Sequence, residues 1–231
     1  MYLMLYYSEM AQLFGMDFLS ALTRGSQFRV ESVLIRITKT LNHIMLSPSR
    51  SDVQNQVAPE CIALVMEPES QFYTDPIVVL DFQSLYPSLM IAYNMCYSTY
   101  LGRVVNGVFE THFGVKQEWK IDWETLHALY PNVIMSPNGS VFVPVSHKKG
   151  ILSTMLQEIL STRIMIKEEL KEVCDEDPIL ARILDARQYA LKMIANVTYG
   201  YTAASFSGRM PCAPLADAIV EVSDLFVSYK Y

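Results

Sequence analysis

The sequence is short of charge, of cysteine and of long apolar runs. Charged residues make up 18% of the 231 positions, with 18 Lys+Arg against 24 Asp+Glu and a formal net charge of -6. Hydrophobic residues reach 51%. That is ample apolar surface to offset the entropy of ordering, so a disordered chain is excluded. The acidic balance argues against a partner recognised through bulk positive charge, whether nucleic acid or membrane surface. No stretch of about 18 apolar residues occurs, which excludes a transmembrane helix. The opening, MYLMLYYSEM, has no basic region and no small-residue cleavage site, unlike a signal peptide. Cys61, Cys96, Cys174 and Cys212 are far apart and form no C-x-x-C pair. Such spacing speaks against a zinc site or a disulfide framework and for a reducing compartment.

Periodicity then divides the chain. Residues 8–23 place Met10, Leu13, Phe14, Phe18 and Leu22 at helical spacing, and Thr23-Arg24-Gly25-Ser26 breaks the pattern. Residues 29–45 resume it through Val30, Leu34, Ile37, Leu41 and Ile44. Residues 47–60 are polar with two prolines and read as a linker or surface loop. Two β-like runs follow, Ile62 to Met66 and Ile77-Val78-Val79-Leu80. The second is continuously apolar and predicts a central strand buried on both faces, ending on Asp81. A helical pattern starts at Ser84. Residues 100–148 are rich in glycine and proline and predict loops with short strands such as Val141-Phe142-Val143. Residues 151–173 and 178–199 both show a 3.6 period. Between them, Cys174-Asp175-Glu176-Asp177-Pro178 predicts a tight turn with Asp177 as N-cap and proline at the first helical position. Short turns between long helices make antiparallel neighbours, here a helical hairpin ended by Gly200. Residues 214–229 are helical again.

Three constellations could carry chemistry. In Asp81-Phe82-Gln83-Ser84-Leu85-Tyr86-Pro87-Ser88, an acid at a strand end precedes a helix N-terminus. A carboxylate that holds a divalent ion beside N–H groups that hold phosphate suits a nucleotide with its metal. Asp81 as a plain helix cap is the competing reading. Arg163, Lys167 and Lys171 share one helix face, which is either an anion-binding stripe or a solvated one paired with Glu168, Glu169 and Glu172. Lys192, Asn196 and Tyr199 share another face, with Tyr189 beside them. They suit a phosphate, a base and a stacking surface, or a lysine snorkelling over a core tyrosine.

DFQSLYPS at 81–88 followed by KMIANVTYG at 192–200 resembles motifs A and B of family B DNA polymerases, D-x-x-S-L-Y-P-S and K-x-x-x-N-x-x-Y-G. MEPES at 66–70, LTRGSQFRVES at 22–32, SPNG at 136–139 and NVTYGYTAASFSGRMPC at 196–212 extend the likeness from about Ser8 to Ser223. Asn196 is followed by Val197, where many members have serine, and this points to the translesion-type branch over a replicative paralogue. The resemblance implies an α+β fold. Residues 1–46 would be the closing helices of an exonuclease-like domain. Residues 47–148 would be the first part of a palm with an incomplete antiparallel sheet. Residues 149–200 would be the helical-hairpin fingers and 201–231 the return into the palm.

It also implies roles. Asp81 and the Phe82 carbonyl would hold catalytic Mg²⁺, of which the family uses two. Ser84 and the Leu85 backbone would meet the triphosphate, and Tyr86 would be the steric gate against a ribose 2′-OH. Arg163, Lys167 and the catalytic Lys192 would hold the β- and γ-phosphates. Asn196 would position the triphosphate, and Tyr199 with Gly200 would line the nascent base pair. The implied reaction is in-line attack of a primer 3′-OH on the α-phosphate of a dNTP. The implied partners are a DNA primer-template, dNTP and the accessory subunits of a translesion polymerase complex in the nucleus, with no membrane.

The family's motif C, Y-G-D-T-D-S, is not found after Gly200, where Asp217 and Asp224 stand in other contexts. The iron–sulfur or zinc-binding cysteine tail of the branch is likewise not in this sequence. Exonuclease carboxylates would lie upstream of residue 1, and residues 224–231 match no family pattern. The expectation is a chain that stops before motif C. It is then either part of a DNA-directed DNA polymerase or a catalytically inactive nucleotide- or partner-binding fragment. An unpaired half-sheet would make it poorly soluble in isolation.

Overall fold

The computed structural model describes residues 2–110, 124, 127–128, 132–204 and 208–228. Four helices come first: α1 (Tyr2–Phe14), α2 (Phe18–Thr23), α3 (Ser26–Thr40) and the short α4 (Arg50–Gln54). Then come α5 (Leu85–Ala92) and the strands β1 (Tyr100–Val105), β2 (Val108–Glu110), β3 (Ile134–Met135) and β4 (Ser140–Phe142). Three long helices close the described chain: α6 (Ile151–Val173), α7 (Pro178–Ala203) and α8 (Ala213–Ser228). The sheet has the order β2-β1-β4-β3, with every pairing antiparallel. The fold is therefore α+β, as expected, but most of the core is helical.

α7 is the axis of that core and packs against α1, α3, α5, α6 and α8. Its buried Leu184, Leu191, Ile194, Ala195, Thr198 and Tyr201 recur at steps of three, four and seven residues, and Ala186 and Ala190 let neighbours approach closely. Asp177 caps α7 as predicted, accepting from the N–H groups of Ile179 (2.9 Å) and Leu180 (3.1 Å), with Pro178 inside the first turn. The helix does not end at Gly200. It runs on to Ala203 because Tyr201 and Thr202 are wholly buried, and that packing outweighs glycine's weak helix propensity. Near its other end, the Glu9 carboxylate of α1 accepts from Arg187 Nε at 2.7 Å. Glu9 is only 7% exposed and Arg187 35%. Arg187→Ala leaves a buried carboxylate without its cation. The expected loss is about 2 kcal/mol of unfolding free energy, below a fully buried pair because the arginine is partly solvated. Urea denaturation reads it, and a loss under about 0.5 kcal/mol would show that solvent replaces the arginine.

The N-terminal pattern reads 8–23 as one helix, and the structure divides it. Gly15 at φ +56° turns the chain between α1 and α2, and Asp17 caps α2 by accepting from the Ser20 N–H at 2.8 Å. The predicted loop at 47–60 contains α4, whose Ser49 and Asp52 form a reciprocal capping box. The SPNG run is the turn between β3 and β4. Gly139 sits at φ +81°, and a Cβ there would strike the Val104 carbonyl. Asn138 reaches from this turn to the start of α8, donating to the Pro214 carbonyl at 3.1 Å.

One buried side chain joins three elements. Asn94 follows α5 at φ 53°, with its side chain enclosed. Its amide nitrogen donates to the carbonyls of Val143 and Lys148, both at 2.8 Å, and its oxygen accepts from the Gly150 N–H at 2.8 Å. It thereby fixes the end of α5 to the residue after β4 and to the N-terminus of α6.

The expected strands at 62–66 and 77–80 do not form. Ile77, Val78, Val79 and Leu80 are exposed, Val79 by 87%. A β-branched run makes a buried strand only beside hydrogen-bonded neighbours, and β1–β4 pair only among themselves among the described residues. Residues 60–64 are held instead by a row of acids on α8. Asp217, 3% exposed, accepts from the N–H groups of Glu60 (3.1 Å) and Cys61 (3.0 Å). Glu221 accepts from the Cys61 thiol at 3.2 Å, and Asp224 from the Leu64 N–H at 3.0 Å. All four cysteines are free thiols. Within the run 196–212, residues 205–207 lie outside the described residues, as do 229–231 at the end.

Candidate nucleotide-binding site

Motif A enters the site without a strand. Asp81 is exposed and, among the described residues, accepts no hydrogen bond, so it does not cap α5. The N-cap is Ser84, held left-handed at φ 51° with no side-chain cap bond. A serine there carries backbone strain of roughly 1 kcal/mol, a cost that concentrates at functional turns. The Phe82 ring meets Phe226 of α8 edge-on at 6.4 Å. Leu85 and Tyr86 begin α5 and are half-buried.

The two motifs meet through two rings. Tyr86 of α5 and Tyr199 of α7 lie 4.7 Å apart between centroids at 39°. Burial raises the Tyr86 hydroxyl above its ordinary range, the Asp224 carboxylate adds to this, and a hydrogen bond with Ser223 opposes it. Burial pushes Tyr199 up to about 12, helped by Tyr86, Asp217, Cys61 and Asp224. Both phenols are thus neutral at physiological pH, so the pair offers an uncharged aromatic wall.

The cations stand on the helical hairpin. Lys192, Asn196 and Gly200 are exposed on α7, on the helix that carries Tyr199. Lys167 is exposed on α6, one turn beyond the half-buried Arg163. Arg163 donates from Nε to Gln188 Oε1 of α7 at 3.4 Å. Gln188 donates in turn from Nε2 to Asp185 Oδ1 at 3.0 Å. Tyr189 leaves the group: its ring packs on Tyr6 of α1 at 5.4 Å. The structure thus brings Tyr86 to Tyr199 and ties Arg163 to α7, while Asp81 stays apart on its exposed segment. Sequence reasoning missed Gln188, whose signal is its place three residues after Asp185 on the helix facing Arg163. It also missed Asp217 as an anchor, because an acid inside an apolar helical run says only that it needs a partner.

The chain belongs to DNA polymerase family B, whose family model matches residues 16–223. It is similar to the DNA polymerase zeta catalytic subunit of Arabidopsis thaliana, with 54% identity over 214 residues covering 93% of this chain and 11% of that protein. Similarity to the DNA polymerase delta catalytic subunit of Candida albicans is lower, 37% over 214 residues, covering 92% of this chain and 18% of that one. The fold matches the family B DNA polymerase of the archaeon Pyrobaculum calidifontis with a TM-score of 0.66 at 24% identity, over 98% of this chain and 26% of the other. The chain therefore spans about a tenth of the length of the zeta relative.

Proposed function

We propose that this chain supplies the nucleotide-binding part of a translesion-type DNA polymerase. The enzyme transfers deoxynucleotides from dNTPs to a primer 3′-OH on a DNA template. The observation that carries the reading is the contact of Tyr86 with Tyr199, which unites motifs A and B in one wall. The identity of 54% to a zeta subunit, against 37% to a delta subunit, supports the translesion branch. On this reading residues 1–46 close an exonuclease-like domain, 47–148 and 201–231 belong to the palm, and 149–200 are the fingers. Nuclear localisation, a DNA primer-template and the accessory subunits of a polymerase zeta complex follow from the same kinship.

Arg163, Lys167 and Lys192 hold the β- and γ-phosphates as pyrophosphate leaves. Asn196 orients the triphosphate, and Ser84 with the Leu85 N–H meets it from motif A. Tyr199 and Gly200 underlie the new base pair, and Tyr86 closes the sugar's 2′ side. Family members use divalent metal ions, and Asp81 with the Phe82 carbonyl would be this chain's share of their ligands. Among the described residues no group of three or more His, Cys, Asp or Glu stands together to hold a metal ion. One carboxylate and one carbonyl do not make a two-ion site by themselves.

The test is equilibrium binding of dTTP by the purified chain. Lys192→Ala weakens it about tenfold, the size expected for one charge-assisted contact. A chain that binds dTTP no better than thymidine would sink the reading.

A further inference from the structure

Gln188 stands between Asp185, on its own helix, and Arg163, on the facing one. A glutamine amide can turn either end outward, but an ionised carboxylate only accepts. Asp185 therefore takes Nε2, and Oε1 is left facing α6, where it meets Arg163 Nε. A guanidinium has five N–H donors in a rigid fork. Held through Nε, it keeps both terminal nitrogens for an anion, the geometry suited to bidentate phosphate binding. All three side chains are half-buried at the seam of α6 and α7, which restrains their rotamers.

We infer that Gln188 is a positioning residue, which the Asp185 carboxylate orients so that it aims the Arg163 guanidinium at the triphosphate. The inference rests on the reading of Arg163 as a triphosphate ligand, and it adds a residue that touches no substrate. The choice of glutamine follows from the chemistry. A glutamate would neutralise the arginine it is meant to present, and an apolar residue would leave the fork unaimed.

The experiment measures dissociation constants of the full 231-residue chain for inorganic tripolyphosphate, in a double-mutant cycle. Gln188→Leu, which removes the amide at roughly similar volume, weakens binding about fivefold in the otherwise unchanged chain, less than a short charged hydrogen bond because the contact is long. In an Arg163→Ala background the same change has less than a twofold effect, whereas in a Lys192→Ala background it keeps its full size. Asp185→Asn, which no longer dictates the amide's direction, gives a smaller loss of about twofold and serves if the leucine variant does not fold. A Gln188→Leu effect that survives intact in the Arg163→Ala background overturns the inference, as does no effect of either variant. If Arg163→Ala alone leaves binding unchanged, or the chain does not bind tripolyphosphate, the reading of the site itself fails. These outcomes are distinct.

Discussion

Tyr86→Ala lowers the preference for deoxynucleotides over ribonucleotides by about two orders of magnitude, the scale of a lost steric exclusion in a fitted pocket. On the proposed reading the ring acts by occupying space, so it must be unable to yield. Tyr199 lies against it at 4.7 Å, and α8 presents Ser223 and Asp224 to its hydroxyl. An aromatic pair of this kind contributes roughly 1 kcal/mol beyond its burial. It adds to the burial of the ring in holding the rotamer against a hydroxyl pressing on it. Tyr86→Phe keeps the exclusion, because the ring and not the hydroxyl does the work. Tyr199→Ala loosens it in part. The measurement is the ratio of affinities for dUTP and UTP, which differ only in the 2′-OH. An unchanged ratio in Tyr86→Ala would remove the gate from this residue.

Asn94→Ala destabilises the chain by about 4 kcal/mol. The buried Val143 carbonyl and Gly150 N–H lose their partner, each at about 1–3 kcal/mol, and the carbonyl of exposed Lys148 loses one at less cost. The alanine must also hold φ 53°, which costs an L-residue with a Cβ roughly 1 kcal/mol more. Domains have only about 5–15 kcal/mol in total, so this one change moves the chain close to its unfolding transition. Asn94→Gly loses the same three hydrogen bonds but not the strain, and is expected to be about 1 kcal/mol milder. Denaturation with urea separates the two, and a loss under about 1 kcal/mol for the alanine variant would mean that the junction of α5, β4 and α6 is held elsewhere.

The helical half of the molecule was readable because its signals are local. Asp177-Pro178 announces the start of α7, and α6 follows its 3.6 period from Ile151 to Val173. The positions that failed depend on what lies across space. Ile77–Leu80 has the composition of a buried strand, yet composition cannot supply a neighbour. Gly200 marks a helix end by propensity, and buried Tyr201 overrules it. Tyr86, Lys192, Asn196 and Tyr199 became candidates through the resemblance of 81–88 and 192–200 to motifs A and B. Asn94 and Gln188 did not, since an asparagine after a helix and a glutamine within one are ordinary until their partners from distant segments are known. The pairing of Tyr86 with Tyr199 spans 113 residues of sequence, and the packing of α5 on α7, with α8 against both, brings it about.

The joint between Cys61 and α8 has a consequence for redox chemistry. Burial, with Glu221 and Asp217 alongside, raises the Cys61 thiol from 9.0 to about 12. Only the thiolate reacts with peroxides or exchanges with disulfides. At pH 7 that form is roughly one molecule in 10⁵. The proton is also the one the thiol donates to Glu221, so losing it would undo the bond. The fold favours the protonated form, and the stability this adds is complete below about pH 9 and fades as the pH rises toward 12. Across the cellular range the Cys61 thiol keeps the proton it donates to Glu221, beside the Asp217 and Asp224 contacts that hold residues 60–64.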